Sequence, residues 1–228
     1  MSRTLNVVRL QLVNRMTFLW IPLIILFGTL AFTLIVYSML PPGAVKYGGG
    51  VQAPLWYFLA IGIQAMAYSF PFSQAMSITR REFFFGTLLT AGLTAGILAI
   101  VFVIGGFIEQ ATGGYGLSGY FFYIPWLWDA GWWAAGIAFF AIAMFMFVIG
   151  FWAATIYKRW GALAVTLAMV GIGALLVGGL WITGRLNAWA QVFGWLQGQG
   201  TVGMTLWGIL ITAVLAATAF LTLRRATP

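Results

Sequence analysis

The 228-residue chain contains no cysteine and no histidine. That removes thiolate nucleophiles, disulfides, imidazole bases and the usual zinc and haem ligands, so several enzyme classes and any metal centre of that kind drop out. Acids are almost as scarce: Glu82, Glu109 and Asp129 are the only three. All three fall at the ends of apolar runs, whereas proton-driven carriers generally bury a carboxylate near mid-membrane. The two lysines, Lys46 and Lys158, follow Val45 and Tyr157, so no glycine precedes a lysine as a phosphate-binding loop requires. Nucleotide work would have to be done by another polypeptide.

What fills the chain instead is apolar: 63% of residues are hydrophobic and 6% charged, with a mean hydropathy of +1.02. A soluble domain of this composition would lack polar groups to face water, so the bilayer is its expected solvent. Six runs are long enough to cross hydrocarbon, about 18–40, 55–77, 84–108, 132–156, 162–183 and 205–223. Inside lipid every amide must be bonded within its own segment or a closed barrel, and runs without strand alternation choose helices. The predicted fold is an all-α integral membrane protein, one transmembrane domain over 1–228. The run after Arg15 exceeds a signal-peptide core, so the first span is expected to be retained.

Nine of the eleven basic residues fall on one side of that reading: Arg3, Arg9, Arg15, Arg80, Arg81, Lys158, Arg159, Arg224 and Arg225. Lys46 and Arg185 lie opposite. Lys and Arg in short loops are held on the cytoplasmic side during insertion, which predicts cytoplasmic N and C termini. The net charge of +8 is dispersed over span ends, and topology accounts for it without a nucleic-acid partner.

Before span one, Leu5, Val8, Leu12 and Met16 recur at helical spacing, predicting an interfacial helix over 1–16. Span one stops at Pro41-Pro42-Gly43, and a Gly-rich outer loop follows. The outer segment 115–128 is rich in Tyr and Trp, which suits the headgroup boundary. Glu109 and Asp129 read as solvated ends. Trp189, Val192, Phe193 and Leu196 form an apolar face opposite Asn187, Gln191 and Gln197, predicting a short amphipathic outer helix before span six.

Two local patterns carry functional content. Thr79-Arg80-Arg81-Glu82-Phe83 places Thr three residues before Glu at the start of an apolar run, a capping box that fixes a rigid helix start. It serves either as the plain start of span three or as a docking element. Span two carries Gln64, Tyr68, Ser73 and Gln74, with Ser69, Ser73 and Ser77 spaced by four and Pro71 kinking the helix. That face either lines a path or holds helices together by hydrogen bonds. Gly92 with Gly96, and Gly171, Gly173, Gly178 and Gly179 in span five, predict close helix packing.

Taken together, a basic interfacial helix, six spans with both ends inside, the short Thr79–Phe83 inner link and an amphipathic element before span six resemble permease subunits of ABC-2 type (type V) ABC exporters. The resemblance covers essentially the whole chain. It implies that Thr79, Arg80, Arg81, Glu82 and Phe83 form a coupling helix gripped by a separate ABC ATPase, which carries the ATP and Mg, with Arg81 and Glu82 as its polar contacts. It implies a second permease copy or homologous permease, a bacterial cytoplasmic membrane, and export by alternating access. The uncharged aromatic spans lean toward an amphipathic or hydrophobic cargo. The chain itself is then no enzyme and binds no cofactor. The rival readings are a non-transporting membrane assembly or immunity factor, and a passive channel or ion-coupled carrier.

Overall fold

The computed structural model describes residues 3–41 and 44–224. Residues 1–2 of the predicted interfacial helix, the Pro42-Gly43 stop after span one and the basic Arg225 lie outside the described residues. The chain is 85% helical, and six helices are long and apolar enough to cross a membrane: Met16–Met39, Gly49–Ala75, Arg80–Ala111, Trp132–Trp160, Ala162–Arg185 and Trp189–Leu223. They are spans one to six, and they are consistent with a multi-pass membrane protein. A shorter helix, Arg3–Val13, precedes them.

Local chemistry explains how these helices tolerate their polar and kinked positions. Threonine hydroxyls bond back to the preceding turn, as Thr29 does to the Ile25 carbonyl at 2.8 Å and Thr94 to the Thr90 carbonyl at 3.0 Å. Each hydroxyl is thereby satisfied inside its own helix. Span two is interrupted by a π-helical turn, Ala65–Ser69, just before Pro71, where the proline lacks an N–H to donate. Span four ends at Gly161, whose φ of +80° turns the chain directly into span five.

Span four is the hub, packing against spans two, three and six. Its closest approach is to span two, through a reciprocal pair of glycines. A Cβ on Gly62 would collide with the backbone of Phe147 and Phe151, and one on Gly150 with the backbone of Leu59. Two backbones meet there with no side chain between them, the geometry small residues permit in membrane helices. Around this contact Phe58, Phe70, Phe83, Phe147 and Phe151 are almost completely buried. Phe83 stands 5.3 Å from Phe70 and 6.4 Å from Phe151 between ring centroids, within the range of favourable aromatic pairing.

The glycines singled out in the sequence are elsewhere. A Cβ on Gly92, Gly96, Gly171, Gly173, Gly178 or Gly179 meets nothing within 4 Å among the described residues. None of the described residues of span five is buried. The packing expectation for these positions is therefore corrected within a single chain. The glycines that permit close approach are Gly62, Gly150, Gly86, Gly105 and Gly106, the last three against Val7, Phe122 and Trp128.

The first helix follows its predicted stripe only in part: Val8 is buried and Leu12 packs against the core. Leu5 and Met16 are exposed, and the buried face is Val7, Val8 and Gln11. The Gln11 amide donates to the Thr87 hydroxyl at 2.8 Å. The missing side chain at Gly86 of span three lets Val7 in, because a Cβ there would collide with it.

Contacts between links sort them to the two ends of the bundle. Arg80 donates to the carbonyls of Leu223 and Arg224, and Val7 fills the space at Gly86. The first helix, the start of span three and the end of span six thus share one side, which is the arginine-rich side. Opposite them, Lys46–Tyr47 pairs in parallel with Gly119–Tyr120, and the Thr201 hydroxyl donates to the Trp126 carbonyl. The link after span one, the link after span three and the segment leading into span six meet at that end.

Candidate functional site

The predicted capping box is present. The Thr79 hydroxyl accepts from the Glu82 amide at 3.3 Å, and the Thr79 amide donates to Glu82 Oε2 at 2.9 Å. Thr79 is extended (φ −68°, ψ 150°) and Glu82 is the acid of the first turn, so both orphan donors and the positive helix start are satisfied. Upstream, span two closes with Ser77 at φ +56°. The Gln74 side-chain amide donates to the Ile78 carbonyl at 3.1 Å. The link is a short, internally bonded turn rather than a slack loop.

Its five residues divide by role. Arg81 is exposed, its guanidinium 5.9 Å from the Phe85 ring centroid. Arg80 is half-buried and fastened to the end of span six. Phe83 is fully buried between spans two and four. The next residue, Phe84, reaches Phe220 of span six at 5.0 Å and Phe151 at 5.9 Å. A force applied to Arg81 or the Thr79 turn would pass through packed rings to spans two, four and six, because close-packed aromatics leave little slack.

The polar residues of span two are not gathered into one face. Tyr68 is 75% exposed and Ser73 is 0% exposed, its hydroxyl donating to the Phe70 carbonyl at 2.7 Å. Gln64 and Gln74 are half-buried. The π turn at Ala65–Ser69 adds a residue to the helical repeat, and the helix ends at Ala75. The predicted alignment of Ser69, Ser73 and Ser77 therefore fails: Ser77 lies beyond the helix, with φ positive.

The largest departure from the sequence reading is Glu109, which is fully buried rather than solvated. Its Oε1 accepts from the Phe121 amide at 2.9 Å, and its Oε2 accepts from the Phe122 and Tyr123 amides, both at 2.8 Å. Three backbone donors on one carboxylate supply the charge-assisted bonds that burial of such a group demands. The loop that makes them is not a headgroup ornament either. Phe121, Phe122, Leu127 and Trp128 fold back into the bundle and are buried, while Trp126 and Asp129 remain exposed.

Lys46 completes this clasp from the other link. It is buried, and its ammonium donates to the carbonyls of Tyr37 at 3.0 Å and Leu117 at 3.2 Å. The Tyr37 hydroxyl donates to the Tyr120 carbonyl at 3.1 Å. Burial, and then the charge of Glu109, push the Tyr115 phenol up to about 12. The sequence signal for Glu109 was its position: an acid directly after the apolar run 84–108, just ahead of the Gly113-Gly114 turn. Among the described residues no group of three or more His, Cys, Asp or Glu could hold a metal.

No protein family, curated protein or solved structure matches the chain. The helical, apolar architecture is consistent with a multi-pass membrane protein.

Proposed function

We propose that this chain is the membrane-spanning permease subunit of an ATP-driven exporter resembling the ABC-2 type. It works beside a second permease and separate ATPase chains in a bacterial cytoplasmic membrane, with its arginine-rich side inward. The observation that carries the reading is the Thr79–Phe83 turn. A capped, rigid helix start presents Arg81 to a partner, while Phe83 and Phe84 connect it to spans two, four and six.

In this mechanism closure of the ATPases on ATP and Mg pushes the turn, and the rigid helix start moves the spans as bodies. A partner can drive the change only through its differential affinity for the two states, and a stiff handle lets that difference reach the membrane. Cargo of amphipathic or hydrophobic character suits spans that carry almost no charge and are rich in aromatic side chains.

The test is Arg81→Ala in the chain co-expressed with the ATPase that purifies with it. Membrane insertion and thermal stability are expected to stay unchanged while transport per ATP hydrolysed collapses. Undiminished transport, or the absence of any co-purifying ATPase whose turnover depends on this chain, overturns the reading.

A further inference from the structure

Spans four and five diverge from Gly161 and leave an apolar slot of about 400 Å³ in their vertex, closed on its third side by span two. Its walls are Ile63, Met66 and Ala67 from span two, Ala153 from span four and Val165 from span five. Met66 and Ala67 of that wall belong to the π turn, Ala65–Ser69. At the arginine-rich end the lining changes to Tyr157 and Lys158. Beside them the Arg159 guanidinium lies 4.0 Å over the exposed Trp160 ring.

The chemistry of the slot is ordered by depth. Tyr157, Trp160 and the cations end span four with the residue types that meet headgroups at a bilayer boundary. Ala153 lies about 7.5 Å deeper by helical rise, among side chains with no polar group. A phospholipid has the same order, phosphate at the boundary and chain beneath. Basic pockets between helices at this level select anionic headgroups over neutral ones.

We propose that the vertex of spans four and five is a binding site for one anionic phospholipid, its acyl chain in the slot and its phosphate at Lys158, with Tyr157 donating to the same headgroup. The lipid fills the gap that the Gly161 turn leaves between two helices and couples their splay to the charge of the leaflet. The assignment is independent of the exporter reading, because it uses neither the Thr79 turn nor any ATPase.

The experiment is native mass spectrometry of the full chain released from nanodiscs of equal phosphatidylglycerol and phosphatidylcholine, with photoactivatable phosphatidylglycerol to locate the contact. Wild type is expected to retain phosphatidylglycerol in preference and to be labelled on the peptides holding Ala153 and Val165. Lys158→Gln is expected to lower that preference roughly fivefold, what one cation contributes at a charged lipid surface. Ala67→Phe, at an exposed position, fills the slot and abolishes the labelling while the helical spectrum stays intact. Arg185→Gln, on the opposite side, leaves both unchanged. Competition by inorganic phosphate alone separates a simple anion site from a lipid site, and its success without chain labelling overturns the proposal. Equal retention of the two lipids, or labelling of the slot by a second copy of the chain in place of lipid, does so too.

Discussion

Spans four and five are consecutive, similar in length and equally devoid of acids, yet they live in different surroundings. More than half of the most apolar stretch of span four is buried inside the chain, and none of span five's is. The difference does not come from hydrophobicity. It comes from where small residues meet a neighbour: Gly150 faces the backbone of Leu59, whereas Gly171, Gly173, Gly178 and Gly179 face open space. In hydrocarbon, apolar side chains gain little by leaving lipid for protein, so close backbone packing and polar bonds decide which helices adhere. Spans two, three, four and six form a body, and span five is an outrigger.

The sharpest way to break this comparison is to place the same side chain in both settings. Gly150→Leu is expected to cost about 3 kcal/mol or more, because the Cβ meets backbone that cannot yield. Thermal size-exclusion profiles in detergent should show the folded peak lost at ordinary temperature. Tolerance of this substitution would mean that spans two and four do not touch as described.

Next in size is Glu109→Ala, which leaves three buried amides without their acceptor and is expected to cost about 2–3 kcal/mol. Limited proteolysis should cut within 115–128 at a rate the wild type does not show. An uncut loop would place the clasp elsewhere. Thr79→Ala removes one half of the capping box and is expected to cost about 1 kcal/mol. Faster hydrogen exchange confined to the first turn of span three is its signature, and global destabilisation would contradict a local cap.

The smallest effect belongs to the outrigger. Gly171→Leu is expected to change the stability of the isolated chain by less than about 0.5 kcal/mol, as surface substitutions do. The same variant sharpens the proposed pairing of two permeases. If a second copy packs on span five, cross-linking between copies falls while each chain's melting temperature holds.

Much of this was legible beforehand, for identifiable reasons. The capping box was readable because all its atoms lie within four consecutive residues. The spans were readable because length and apolarity alone decide whether a helix can cross hydrocarbon. The stretch predicted as a separate helix before span six runs on into that span, across a break at Gly200 where φ is +58°. Glu109 was misread because its partners, the amides of Phe121, Phe122 and Tyr123, lie twelve to fourteen residues away in a loop whose course no periodicity describes. The polar stripe of span two failed because a π turn rotates Gln64 away from the residues after it and because the helix stops at Ala75, before Ser77.

By itself the order of residues determined how many helices are long and apolar enough to cross a membrane and at which of their ends the arginines gather, since each depends on summed hydrophobicity and charge along one segment. Only the tertiary structure decided which glycines touch, which acid is buried and which span stands apart. Those outcomes turn on contacts a few ångströms across between segments remote in sequence, and no local pattern carries that distance.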